Sequence, residues 1–121
     1  MALFCAATVA FLVVRDLFVP HVRDVEVWFG FELRGGWALA TAPLHWAIFA
    51  IGAWAFWRAK RWIAPAAAAY AFYVAASHVV WSEASPNGQG IGMGLLQGAL
   101  LSVPGFLLLR AARRARERGP G

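Results

Sequence analysis

Three runs of about 20 residues, at 37–57, 62–82 and 90–109, follow one another in this chain without an Asp, Glu, Lys or Arg inside them. A hydrocarbon layer roughly 30 Å thick is crossed by about 20 helical residues at 1.5 Å each, so each run has the length and the polarity of a membrane span. A shorter apolar run, residues 1–14, opens the chain and reaches 19 residues only if its helix continues through Arg15 and Asp16 to Val19. The run lacks the basic start and the small-x-small cleavage site of a signal peptide, and is read as a true helix. The predicted fold is an all-α integral membrane protein, a four-helix bundle with helices at about 2–19, 37–57, 62–82 and 90–112.

Composition closes off other classes. Of 121 residues 61% are hydrophobic and 14% charged, against about 25% charged in a soluble domain, and the spans with their connections occupy almost the whole length. A single transmembrane domain is expected. The lone Cys5 allows no internal disulfide. A net charge of +5 would point to nucleic acid in a soluble protein, but here most of the excess sits beside the ends of apolar runs and reads as an orientation signal, so no nucleic-acid partner is expected. Arginine outnumbers lysine ten to one, the bias of a GC-rich bacterial genome, and the expected location is a bacterial cell membrane.

Arg58, Lys60 and Arg61 separate the second and third spans, and Arg110, Arg113, Arg114, Arg116 and Arg118 follow the fourth. Basic loops stay cytoplasmic, which puts both termini and the basic tail 110–121 inside, with the loop 20–36 and Glu83 outside. The topology is then antiparallel and up-down. Trp57 and Trp62 bracket the inner loop while Trp37 and Trp81 mark the opposite boundary, the levels that amphipathic rings prefer. The adjacent Arg15 and Asp16 are read as a snorkelling pair at a helix end.

In the outer loop every second residue from Val25 to Leu33 is apolar, a strand-like period. A lone strand has no pairing partner, so an extended or helical segment lying on the membrane surface is an equal expectation. Ser85-Pro86-Asn87-Gly88 has the residues of a type I turn and makes the third and fourth spans a hairpin. The arginine-rich end is expected to fray.

The strongest motif is a stripe of small side chains. Gly90, Gly94, Gly98 and Ser102 recur every fourth residue, and Ala67, Ala71 and Ala75 form a similar stripe on the third span. Such stripes let backbones approach closely, because between helices in lipid the attraction is van der Waals contact with little hydrophobic gain. They serve either packing within the chain or an interface, and the leading functional expectation is a non-enzymatic protein acting through helix packing, as a homo-oligomer or as an accessory subunit of a membrane complex.

The alternative rests on two intramembrane histidines. His45 and His78 lie in the outer halves of their spans, with Thr41 one turn before the first and Glu83 just beyond the second. Ionisable groups in a span face a bundle interior or a wet cavity, so this set is a candidate site for a small ligand, haem, a metal ion or a proton. Pro43 leaves the Leu39 carbonyl free two residues before His45. His21, Asp24, Glu26, Glu32 and Glu83 lack metal-ligand spacing and are read as a solvated, charge-balanced outer set. No motif for catalysis is present, and no cofactor is required. Length and helix count resemble those of the small multidrug-resistance transporters, but these carry a membrane-embedded glutamate in the first helix and residues 1–14 here hold no acid.

Overall fold

The computed structural model describes residues 1–19 and 25–117, which form four helices and one two-stranded sheet. The helices are α1 (Ala2–Phe18), α2 (Gly36–Trp57), α3 (Ile63–Ala84) and α4 (Gly90–Glu117), and the strands are β1 (Val25–Trp28) and β2 (Phe31–Arg34). Three of the helices, α2, α3 and α4, are long and apolar enough to cross a membrane. At 17 residues, α1 is about 25 Å long. The last helix runs past the expected end at 112: α4 continues through Arg113, Arg114 and Arg116 to Glu117, because arginine is a good helix former and the C-terminal end of a helix favours cations, and the end expected to fray lies outside the described residues.

The chain divides into two compact units. The first comprises residues 1–28 and 32–60, the second residues 29–31 and 61–121.

In the first unit α1 packs on α2. Their buried apolar residues are small: Cys5 from α1 and Ala38, Ala42 and Ala55 from α2. A Cβ added to the buried Gly52 would stand 3.4 Å from the Cys5 sulfur, ordinary contact, so this position brings the two backbones close. The C-terminus of α2 closes in a Schellman arrangement, with Ala59 left-handed (φ 47°), Lys60 N–H donating to the Ala55 carbonyl and Ala59 N–H to Phe56.

The alternating run 25–33 is not a lone strand. It folds back on itself, with Phe29 (φ 53°) and Gly30 (φ 87°) as the two turn residues between β1 and β2. Two consecutive positive φ values define the tight turn whose twist matches paired strands. The strand finds its partner within its own sequence, which the absence of Asn-Gly or Asp-Gly concealed.

In the second unit α3 and α4 are joined through Ser85–Gly88, where Gly88 N–H donates to the Ser85 carbonyl and Asn87 N–H to the Ser85 hydroxyl. The buried positions of α3 are Ile63, Ala68, Ala75 and Ser82, and those of α4 are Gly94, Gly98 and Gly105. Added Cβ atoms show the register directly: Gly94 would meet Ser82, Gly98 would meet Val79 and the Ala75 carbonyl, and Gly105 would meet the Phe72 ring. Residues of α4 thus meet α3 in reverse order. The stripe expected at four-residue spacing is kept only at Gly94, Gly98 and Ala75. Ala67 and Ala71 are half-buried, Ser102 is half-buried and bonded to its own helix at the Ala99 carbonyl, and a Cβ on Gly90 would meet nothing within 4 Å. The reason is geometric. Four-residue steps drift about 40° each around a helix, whereas seven-residue steps drift about 20° and keep facing a neighbour, so the contact line runs through Ala68, Ala75 and Ser82.

Large side chains lie outside this frame. Leu3, Phe4, Phe18, Leu95, Leu100 and Phe106 are exposed, with Trp37 and Trp57 at 76% and 78%, while the buried residues are mostly Ala, Gly, Ser and Cys. A water-soluble protein puts large apolar groups inside.

Candidate functional site

The first unit gathers three ionisable side chains and two tryptophans around His45. Near the end of α1, Arg15 and Asp16 are neighbours in sequence and are paired, Nη2 to Oδ1 at 2.6 Å. Asp16 is 4% exposed, and its other oxygen accepts from Trp46 Nε1 at 2.8 Å. The Arg15 guanidinium also reaches Glu26 of β1, Nη2 to Oε1 at 2.6 Å. Glu26 is 3% exposed, and its remaining oxygen lies 2.7 Å from His45 Nδ1. The His45 imidazole is stacked on the Trp28 indole, centroids 4.1 Å apart and planes within 9°.

These contacts correct two expectations. Arg15 and Asp16 are not a snorkelling pair in solvent: the aspartate is enclosed and held by a tryptophan. Glu26 is not part of a solvated loop, because the hairpin carries it inward to His45. Strand alternation does this, since Glu26 and Trp28 share one face of β1. Glu32 is half-buried, its side chain 12% exposed, and is ion-paired with the exposed Arg34 at 2.5 Å on β2. Glu83 is exposed, and His21 and Asp24 lie outside the described residues.

The depth of the site can be read along α2. His45 stands nine residues from Gly36, about 13 Å along the helix axis. The turn of the hairpin is placed independently in the second unit. There Phe29 N–H donates to the Tyr73 hydroxyl at 3.0 Å, the two rings meet edge to face at 5.2 Å, and a Cβ on Gly30 would collide with Val80 and the Ser77 carbonyl. Tyr73 stands eleven residues from the Ala84 end of α3, about 16 Å along it. Residues 25–34, expected at the surface, thus place β1 at the level of His45 in the first unit, and the turn at the level of Tyr73 in the second.

The chemistry of the cluster follows from its charges. A carboxylate on Nδ1 fixes that nitrogen as the donor in the neutral ring and leaves Nε2 with its lone pair. Arg15, Asp16 and Glu26 together carry one negative charge in excess when His45 is neutral. One added proton brings the cluster to neutrality. Trp28 Nε1 is a buried donor with no partner among the described residues, beside that imidazole.

The other residues singled out from the sequence have separate settings. Thr41 bonds back to its own helix, Oγ1 donating to the Trp37 carbonyl at 2.8 Å. His78 belongs to a polar string of the second unit, with Nε2 2.5 Å from Gln97 Oε1, while Gln97 Nε2 donates to Gln89 Oε1 at 3.1 Å. Among the described residues no three His, Cys, Asp or Glu side chains converge as a metal site. Sequence reasoning missed Arg15, Asp16, Glu26, Trp28 and Trp46. The only available signal was a pair of charges at the end of an apolar run and an acid at the inward phase of an alternating segment.

No protein-family model, curated protein or solved structure matches the chain.

Proposed function

We propose that the chain is a multi-pass membrane protein that takes up and passes on a proton at His45. The supporting observation is the cluster of Arg15, His45 and the buried carboxylates of Asp16 and Glu26, one negative charge in excess and oriented so that Glu26 holds Nδ1 and leaves Nε2 to receive the proton. With His45 protonated the four charges sum to zero, and Trp28 Nε1, beside the imidazole, is a buried donor with no partner among the described residues. The bundle is up-down and antiparallel in a cell membrane, with both termini cytoplasmic and the hairpin entering from the outside.

Flux measurements test this reading. Vesicles of defined lipid containing the full chain and an entrapped pH dye should dissipate an imposed pH gradient faster than empty vesicles. His45→Gln should abolish the excess rate, and Glu26→Gln should reduce it roughly tenfold or more, the usual scale for loss of a group that orients a histidine. Equal rates for the wild type and His45→Gln would sink the proposal.

Orientation is tested separately. Reporter fusions after Arg116 should read as cytoplasmic and insertions within 20–24 as external, following the arginine clusters at 58–61 and 110–116. An external reading after Arg116 would invert the frame.

Gly94 and Gly98 face α3 of the same chain, which supports the within-chain packing that the sequence offered as one of two roles for the small-residue stripe.

A further inference from the structure

One face of α4 runs from exposed apolar side chains straight into arginines. At about 100° per residue, Leu96, Leu100, Val103, Phe106 and Leu107 fall within an arc of about 120°, and Arg110, Arg113 and Arg114 continue the same arc over the next two turns. This arc points away from the line Gly94, Gly98 and Gly105 that packs on α3. All eight side chains on it are exposed. The three guanidiniums have no carboxylate partner among the described residues, and the one nearby acid, Glu117, is a turn further on. Residues 90–109 span about 30 Å, so the arginines begin where a hydrocarbon layer ends.

We propose that this face binds an anionic phospholipid. Acyl chains lie along Leu100, Val103, Phe106 and Leu107, and Arg110, Arg113 and Arg114 hold the phosphate and the charged headgroup. The order of chemistry along the helix is the order within the lipid. Guanidinium is the suited group because its planar fork donates two parallel hydrogen bonds to phosphate oxygens, where an ammonium acts as a point charge. The small Ala111 and Ala112 leave the fork unobstructed. The C-terminal end of a helix repels anions, yet three arginines outweigh its half charge.

Spin-labelled lipids give the test. The full chain is reconstituted in vesicles of phosphatidylcholine with 20% phosphatidylglycerol, roughly a bacterial proportion, and the motionally restricted fraction is measured for labelled phosphatidylglycerol and for labelled phosphatidylcholine. The expected result is a preference of about fivefold or more for phosphatidylglycerol, on the scale of one surface arginine. The triple change Arg110→Gln, Arg113→Gln, Arg114→Gln should abolish it. Changing all three to lysine should keep only part, whereas Arg34→Gln, on β2, should leave it intact. No preference in the wild type, or a preference retained by the glutamine triple variant, would overturn the proposal. So would displacement of the lipid by millimolar inorganic phosphate or by a short DNA duplex, because either would assign the arginines to a soluble polyanion. Unchanged helical content in the variants guards against a folding defect.

Discussion

Replacing Gly30 with alanine should destabilise the protein by on the order of 3 kcal/mol, the sum of two separate penalties. The backbone there is left-handed at φ 87°, a region that costs a residue with a Cβ roughly 1–2 kcal/mol. The new methyl would also stand 2.5 Å from Val80 Cβ and 2.6 Å from the Ser77 carbonyl, neither of which is the free end of a flexible side chain, and overpacking of this kind costs about 1–3 kcal/mol. The hairpin tip must lift from α3, and with it goes the Phe29 hydrogen bond to Tyr73. Unfolding in mixed micelles, followed by tryptophan fluorescence, measures the loss. A change below about 0.5 kcal/mol, the usual scatter of surface substitutions, would mean that the turn does not seat where the structure has it.

Gly94→Leu should have a comparable effect through a different contact. Even a methyl at that position would approach Ser82 Cβ to 2.8 Å, and a leucine must wedge the helix pair apart, losing the contacts at Gly98 and Gly105 as well. We expect a loss of about 3 kcal/mol, at the upper end of overpacking, visible as increased spacing between labels on α3 and α4. Gly92→Ala is the internal control. Nothing lies within 4 Å of a Cβ there, so relief of glycine's backbone entropy should stabilise α4 by about 0.5–1 kcal/mol. If Gly94→Leu is as well tolerated as Gly92→Ala, the glycine seam is not the contact surface of α3 and α4.

The long helices were legible in the sequence because membrane spanning length and the lack of charge are properties of a contiguous stretch. The glycine seam was legible in kind but not in register. A four-residue spacing is visible by eye, while the seven-residue line through Ala68, Ala75 and Ser82 disappears in an alanine-rich run where almost any spacing is populated. The site was half legible. His45 stands out as an ionisable group in an apolar span, but its partner Glu26 comes from a segment whose burial depends on a turn formed by Phe29 and Gly30. Phenylalanine is an unusual residue at a positive φ, and only the docking of its ring and amide on Tyr73 explains its tolerance there. Arg15 and Asp16 were visible, yet adjacent opposite charges satisfy a local account so well that no local rule demands Trp46 or Glu26.

With the helices in a membrane and the hairpin on its outer side, as proposed, the hairpin would also change the electrical geometry of the bilayer. Two paired strands leave outward amide groups that hydrocarbon cannot satisfy, so protein or water must accompany them to their full depth. On the membrane reading, His45 marks the floor of that polar well, and only the twelve residues from there to Trp57, about 18 Å, remain as insulator along α2, against about 33 Å for the whole helix. The transmembrane voltage would then fall mainly across that thinner dielectric. On the proposed function, a proton arriving at His45 from outside would have traversed little of the field, and the energy of about 2.3 kcal/mol per charge per 100 mV would be concentrated in the step that leaves the imidazole inward.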